Sequence, residues 1–195
     1  NAAAVTISNP NLLINPDFRI NQRGESVYSE VGYTADRWKL QFPNSAASIE
    51  DGGYKLGLTS SAIDNSIASV MQTIEEPERF CGKMATLTVD YKTVASNRVY
   101  IEVAISDHSD ALHVVAGKFI TEGTGKYSVT GIIPVDVKTL FVRIYGADRR
   151  AGDDINAYSI INYAKLELSS VATPFVPPDP ATELAKCQRY AMTLE

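Results

Sequence analysis

The chain has 195 residues, 45% of them apolar, and a formal net charge of -5 at pH 7. That length and apolar share supply the core of an all-β domain that needs no disulfide or metal to hold it together. The negative balance gives no attraction for nucleic acid or an anionic membrane surface and leaves uncharged ligands as the easier class.

No apolar run approaches a membrane span, and the amino end lacks the charged-then-apolar pattern of a secretory signal, so a soluble chain without membrane insertion is expected. Cys81 and Cys187 stand far apart without metal-type spacing and read as free buried thiols. Leu194-Glu195 is a candidate cloning remnant and carries no functional argument.

In chain order, "NLLINPDFRINQRG" (Asn11 to Gly24) breaks at Asn15-Pro16-Asp17. The break reads as a turn that brings the first strand into the core, with Leu13 and Phe18 as core contacts. In "GYTADRW" (Gly32 to Trp38), Trp38, near Leu40 and Phe42, is expected to close one end of the core, with Asp36 and Arg37 pairing or binding backbone groups. Strands follow at "YKLGL" from Tyr54 and "SIASVMQTIE" from Ser66. "KMATLTVDY" (Lys83 to Tyr91) alternates, with Ala85, Leu87, Val89 and Tyr91 on one face. "RVYIEVAI" repeats the device, with Val99, Ile101, Val103 and Ile105 inward and Arg98, Tyr100, Glu102 and Ala104 outward. The "SNR" turn before it suggests that these two strands pair antiparallel.

Further strands are "LHVVAGKFI" from Leu112, "KYSVTGII" from Lys126, "TLFVRIY" from Thr139 and "YSIINYAKLEL" from Tyr158. About eight to ten strands at this spacing, with no amphipathic helix between them, predict an all-β sandwich or barrel. "TPFVPPDP" should run extended and marks a boundary, so residues 1-176 form the sandwich and 177-195 a connector and short helix. In that helix Asp179 caps, Pro180 occupies the first turn, Glu183 complements the positive end, and Leu184, Cys187, Gln188 and Ala191 share a packing face.

Catalytic constellations are sparse. His108 and His113 are the only histidines, and "SDHSD" (Ser106 to Asp110) reads as a polar turn between strands. Phosphate-cradling glycine loops and zinc spacings are absent from the sequence. Glu75-Glu76 and Asp153-Asp154 read as solvated loop carboxylates, and "AGDDINAY" lacks the regular oxygen spacing of a calcium loop.

The informative surface is aromatic. In "TLFVRIYG", Leu140, Val142 and Ile144 share one face and Phe141, Arg143 and Tyr145 the other. Either a loop, helix or subunit covers Phe141 and Tyr145, or the face is a platform on which sugar C-H patches stack, joined by Tyr100 and Glu102 if their strand is a neighbour. The carbohydrate-binding candidates are therefore Tyr100, Glu102, Phe141, Arg143 and Tyr145, with the loop of Asp107, His108 and Asp110 as a second set.

Both ends of the chain point to a family. "NLLINPDFRINQRG" with "GYTADRW", and later "YAKLELSSVATPFVPPDPATELAKCQRY" (Tyr163 to Tyr190), resemble a module of bacteriophage tail fibres, tail spikes and related prophage proteins; "MQTIE" and "GKMATLTVDYKT" resemble its internal strands. The resemblance implies a jelly-roll β-sandwich similar to carbohydrate-binding modules, carried on a homotrimeric fibre among other tail fibre domains. Its implied work is noncatalytic adhesion to bacterial surface polysaccharide or lipopolysaccharide. The implied location is the virion tail, extracellular when acting and assembled in the host cytoplasm. Some members are spacers or trimerisation modules, and others accompany a polysaccharide depolymerase. In the calcium-bearing modules of this type, acidic residues stand where this chain has Arg19 and Asn162, so the resemblance disfavours a structural calcium and implies no cofactor.

Overall fold

The computed structural model describes residues 8–50, 53–94, 99–120 and 123–191. The expected "SNR" turn and Arg98 lie outside them. Twelve strands occur among the described residues: β1 (Val27–Tyr28), β2 (Gly32–Tyr33), β3 (Lys39–Leu40), β4 (Ser45–Glu50), β5 (Gly53–Leu58), β6 (Ile67–Ile74), β7 (Met84–Val94), β8 (Val99–Ser106), β9 (Leu112–Ile120), β10 (Thr124–Ile132), β11 (Thr139–Asp148) and β12 (Tyr158–Glu167). The α-helix α1 spans Pro180–Ala191.

The strands form two antiparallel six-stranded sheets, the first in the order β1-β4-β5-β12-β7-β10 and the second β2-β3-β6-β11-β8-β9. Face to face, they make the expected jelly-roll sandwich. β1 to β4 are the additions to the eight strands read individually in the sequence: the first three are two residues each, and in the "SAASIE" of β4 Ile49 is the one large apolar residue.

Alternation decides which side chains meet between the sheets. Leu87, Val89 and Tyr91 of β7 and Ile101 and Val103 of β8 are fully buried, each such side chain contributing about 1.5 to 3 kcal/mol of transfer free energy. The expected pairing of these two strands is corrected, because β7 bonds β12 and β10 in the first sheet whereas β8 bonds β11 and β9 in the second. Their matching periodicity arises because both line the same core from opposite sides, and period two carries no information about the neighbour.

The opening stretch is a polar knot beneath one end of the sandwich. Asn15 takes a left-handed backbone (φ 52), accepts from Ile20 N through Oδ1 and donates through Nδ2 to the carbonyls of Ile20 and Asp36. Phe18 stacks on Tyr54 and tilts against Trp38, both at 4.6 Å, while Trp38 Nε1 donates to Asn15 O at 2.8 Å. Asp36 and Arg37 bind backbone groups rather than each other: Asp36 accepts from Gln22 N, and Arg37 donates to Thr73 O at 3.3 Å while its guanidinium stacks 3.6 Å over Tyr190. Arg19 pairs with Asp17 at 2.5 Å and Asn162 donates to Asp90 at 3.2 Å.

Asp179 caps α1, its Oδ1 accepting from Thr182 N at 2.8 Å. The packing face differs from the expected one. Glu183 and Cys187 are each only 2% exposed, one turn apart, whereas Leu184 and Gln188 point to solvent; the side chain of Ala191 lies outside the described set. Glu183 is drawn inward because its Oε1 accepts from Asn15 N at 2.6 Å, serving the knot rather than the helix end.

The chain's two flanks meet on the outer face of β12. Lys165 Nζ donates to Ser8 Oγ, Thr173 Oγ1 and Pro174 O at 3.1, 2.6 and 2.9 Å, and lies 3.4 Å from Glu167 Oε2. Ser8 Oγ donates to Pro174 O at 2.7 Å, and Phe175 stacks on Tyr163 at 4.0 Å.

Candidate functional site

The outer face of the second sheet gathers five of the sequence candidates. β8 and β11 are adjacent and in register, with Arg143 directly opposite Glu102 and Phe141 opposite Ala104. Arg143 Nε lies 3.3 Å from Glu102 Oε1, a contact that is ionic because it lacks hydrogen-bond alignment. The same guanidinium donates to the Tyr145 hydroxyl at 3.0 Å and sits 5.2 Å from the Phe141 ring centroid. Tyr100 meets Tyr145 edge-on at 5.8 Å and Phe119 at 4.5 Å.

Of the two readings of Phe141 and Tyr145, covered or open, their burial agrees with the covered one, although the cover is this chain's own side chains rather than a loop, helix or subunit. The two rings are 5% and 8% exposed within a single chain, because Arg143 and neighbouring side chains crowd over them. The accessible ring is Phe119 of β9, 53% exposed, which sequence reasoning missed. Gly117 clears its approach: a Cβ there would stand 1.9 Å from the Tyr100 hydroxyl, so only the missing side chain lets Tyr100 lie across β9. An aromatic two residues beyond a mid-strand glycine was the available signal.

Burial raises the Glu102 carboxyl above its ordinary range, with Arg143 opposing. It also raises the hydroxyls of Tyr100 and Tyr145, with Glu102 adding to both. Ser69, fully buried on β6, finds no hydrogen-bond partner for its Oγ among the described residues. A continuous cross-strand row runs Gly117, Glu102, Arg143, Met71, Lys39, Tyr33. At strand spacing, that row is roughly 24 Å long.

The second candidate set lies beyond one end of this face, as the β8–β9 turn. Asp107 Oδ1 accepts from Ser109 N and Ala111 N at 2.8 and 3.0 Å, and its Oδ2 lies 2.7 Å from His113 Nε2. These bonds hold the Asp107 carboxyl well below the ordinary range, the Ser109 hydroxyl first among them. His108 is engaged by Asp136 and Asp110 by Lys138. The loop's polar groups thus brace the turn. Asp153, expected in solvent, is 4% exposed and accepts from Asp148 N at 2.9 Å.

No family model and no curated protein matches the chain. Solved structures share its fold. One is the C-terminal family 22 carbohydrate binding module of Clostridium thermocellum Xyn10B, 12% identical with TM-score 0.55, covering 87% of this chain and 99% of that one. A Stig cyclase from Fischerella sp. TAU is 14% identical with TM-score 0.53 over 83% of this chain and 96% of its own. The enzymatically active domain of tailspike protein 4 of bacteriophage CBA120 is 13% identical with TM-score 0.50 over 82% of this chain but 21% of its own. At such identities the likeness establishes the jelly-roll fold alone.

Proposed function

We propose that the chain is a noncatalytic adhesion module that binds a bacterial surface glycan, polysaccharide or lipopolysaccharide, on the outer face of its second sheet. The observation that carries this reading is the in-register meeting of Tyr100, Glu102, Arg143 and Tyr145 beside the exposed Phe119. Phe119 and the Tyr100 edge offer C-H stacking, while the partly exposed edge of Arg143 and the Tyr100 hydroxyl offer directed hydrogen bonds to sugar hydroxyls, with Glu102 and Tyr145 bracing Arg143 from beneath. The cross-strand row suits an extended chain rather than one terminal sugar.

The end motifs support placement on a homotrimeric phage or prophage tail fibre, joined to other fibre domains and exposed on the virion tail, and the fold shared with a phage tailspike agrees with it. Several copies on one fibre would turn weak single-site binding into firm attachment through effective concentration.

Glycan arrays of host-envelope polysaccharides tested with the trimer, and host adsorption with Phe119→Ala and Arg143→Ala, check the assignment. Loss of both signals in the variants is expected. Unchanged adsorption, or release of reducing ends by the module, would refute it.

A second reading, a spacer or trimerisation module, is favoured by Leu112, Val114 and Phe119, which are 68%, 56% and 53% exposed along edge strand β9. Light scattering of Leu112→Asp distinguishes the two: dissociation of the trimer supports the spacer, and an intact trimer that still adsorbs supports adhesion.

A further inference from the structure

The opposite side of the sandwich, the outer face of the first sheet, carries an open groove of about 760 Å³. Its floor is made of small residues, Ala46 and Ser48 of β4 with Gly57 of β5 beside them. Gly57 admits nothing larger, since a Cβ there would lie 2.9 Å from Tyr158 Cβ and 3.1 Å from Ala157 O. Tyr158, across from Gly57 on β12, forms one wall, and Val27, 56% exposed on the short β1, forms the other rim.

Polar groups converge at one end. Lys55 Nζ lies 4.5 Å from the centroid of the Tyr158 ring and 3.3 Å from Glu50 Oε1, and Ser48 Oγ donates to Glu50 at 3.0 Å. The groove's ammonium is therefore neutralised within the chain while its stem flanks the aromatic wall. An apolar floor, a tyrosine wall and a charge-balanced polar end within ordinary pocket size describe a site for an uncharged, hydroxyl-rich ligand with an apolar face.

We propose that this groove binds a neutral pyranose chain. Ring C-H groups would lie on Ala46, Gly57 and the Tyr158 edge, and hydroxyls would reach Ser48, Glu50 and Lys55. A uronate would have to displace Glu50 from Lys55 and is disfavoured. The inference does not rest on the glycan reading of the other sheet, and the two can fail separately.

The test is an NMR titration of the isotope-labelled chain with maltohexaose, cellohexaose and xylohexaose, and with trigalacturonate as the acidic comparison. Amide shifts at Ser48, Gly57 and Tyr158 with at least one neutral chain are expected. They should weaken about tenfold in Ser48→Trp, which fills the floor from a solvent-facing position, and in Tyr158→Ala. Absence of shifts at these amides with every neutral chain at millimolar concentration overturns the proposal. So do shifts that survive Ser48→Trp, or a preference for trigalacturonate. Shifts confined to Tyr100 and Phe119 would support the other face and overturn this one.

Discussion

Arg143 and Glu102 stand opposite one another on β11 and β8, with side chains 16% and 6% exposed and 3.3 Å between guanidinium and carboxylate. Removing the cation alone leaves a sheltered carboxylate uncompensated, so Arg143→Ala should cost about 3 kcal/mol in urea unfolding. Replacing both by apolar residues of similar size, Arg143→Met with Glu102→Leu, should recover most of that loss, because the desolvation of two charges disappears with them. A double-mutant cycle measures the coupling; strictly additive costs would mean that the two residues do not stabilise one another.

Two buried carboxylates should respond to acid in opposite senses. Burial raises Glu102 above its ordinary 4.5, so between 4.5 and that raised value the folded chain binds more protons than the unfolded one. Its contribution is most favourable below 4.5 and declines as pH rises through the folded value. For Glu167 burial pushes upward, but the Thr173 N–H and hydroxyl, with Lys165, outweigh it and hold the carboxyl below 4.5. The stability it contributes is present above 4.5 and is lost as pH falls through the lowered value. Stability of Glu102→Gln and Glu167→Gln measured from roughly pH 3 to 7 should show a flatter neutral side in the first and a flatter acid side in the second.

Gly117→Ala should reshape the candidate face without unfolding the sandwich. The new methyl would occupy the place of the Tyr100 hydroxyl, so that ring must swing away from Phe119. Loss of the aromatic pair costs about 1 kcal/mol. Near-ultraviolet circular dichroism should fall while the far-ultraviolet sheet signal stays; an unchanged near-ultraviolet spectrum would place Tyr100 elsewhere.

The two thiols should react at very different rates. Burial, with Asp36 and Glu183 nearby, pushes the Cys187 thiol up to about 12, and it is 2% exposed on the inward face of α1, whereas Cys81 is half-buried. Titration with a chromogenic disulfide at mildly alkaline pH should register Cys81 first and Cys187 only on unfolding. Two equally fast thiols would mean that α1 detaches from the sandwich.

Periodicity made much of this fold readable. The outward set of Phe141, Arg143 and Tyr145 follows from β11 alone, and the core set of Leu87, Val89 and Tyr91 from β7 alone. Strand partners were not readable, since β7 and β8 are consecutive yet belong to opposite sheets. Exposure was hidden for a similar reason. Whether the Tyr145 ring is open depends on Arg143 and Tyr100 crowding it, and Tyr100 comes from a neighbouring strand. Buried polar residues were not readable either: Asn15 and Lys165 are 0% and 1% exposed, because their partners lie far along the chain or on backbone groups that sequence does not mark.

The clasp at Lys165 has a mechanical meaning. Ser8 and Pro174 are hydrogen-bonded to each other, so the segment entering the sandwich and the one leaving it run side by side. Tension applied between those two points would load the few bonds around Lys165 and Glu167 in parallel with one another, while the twelve strands carry none of it until the clasp parts. The sandwich hangs from this point as a pendant, and the outer face of its second sheet stays clear of the line of pull.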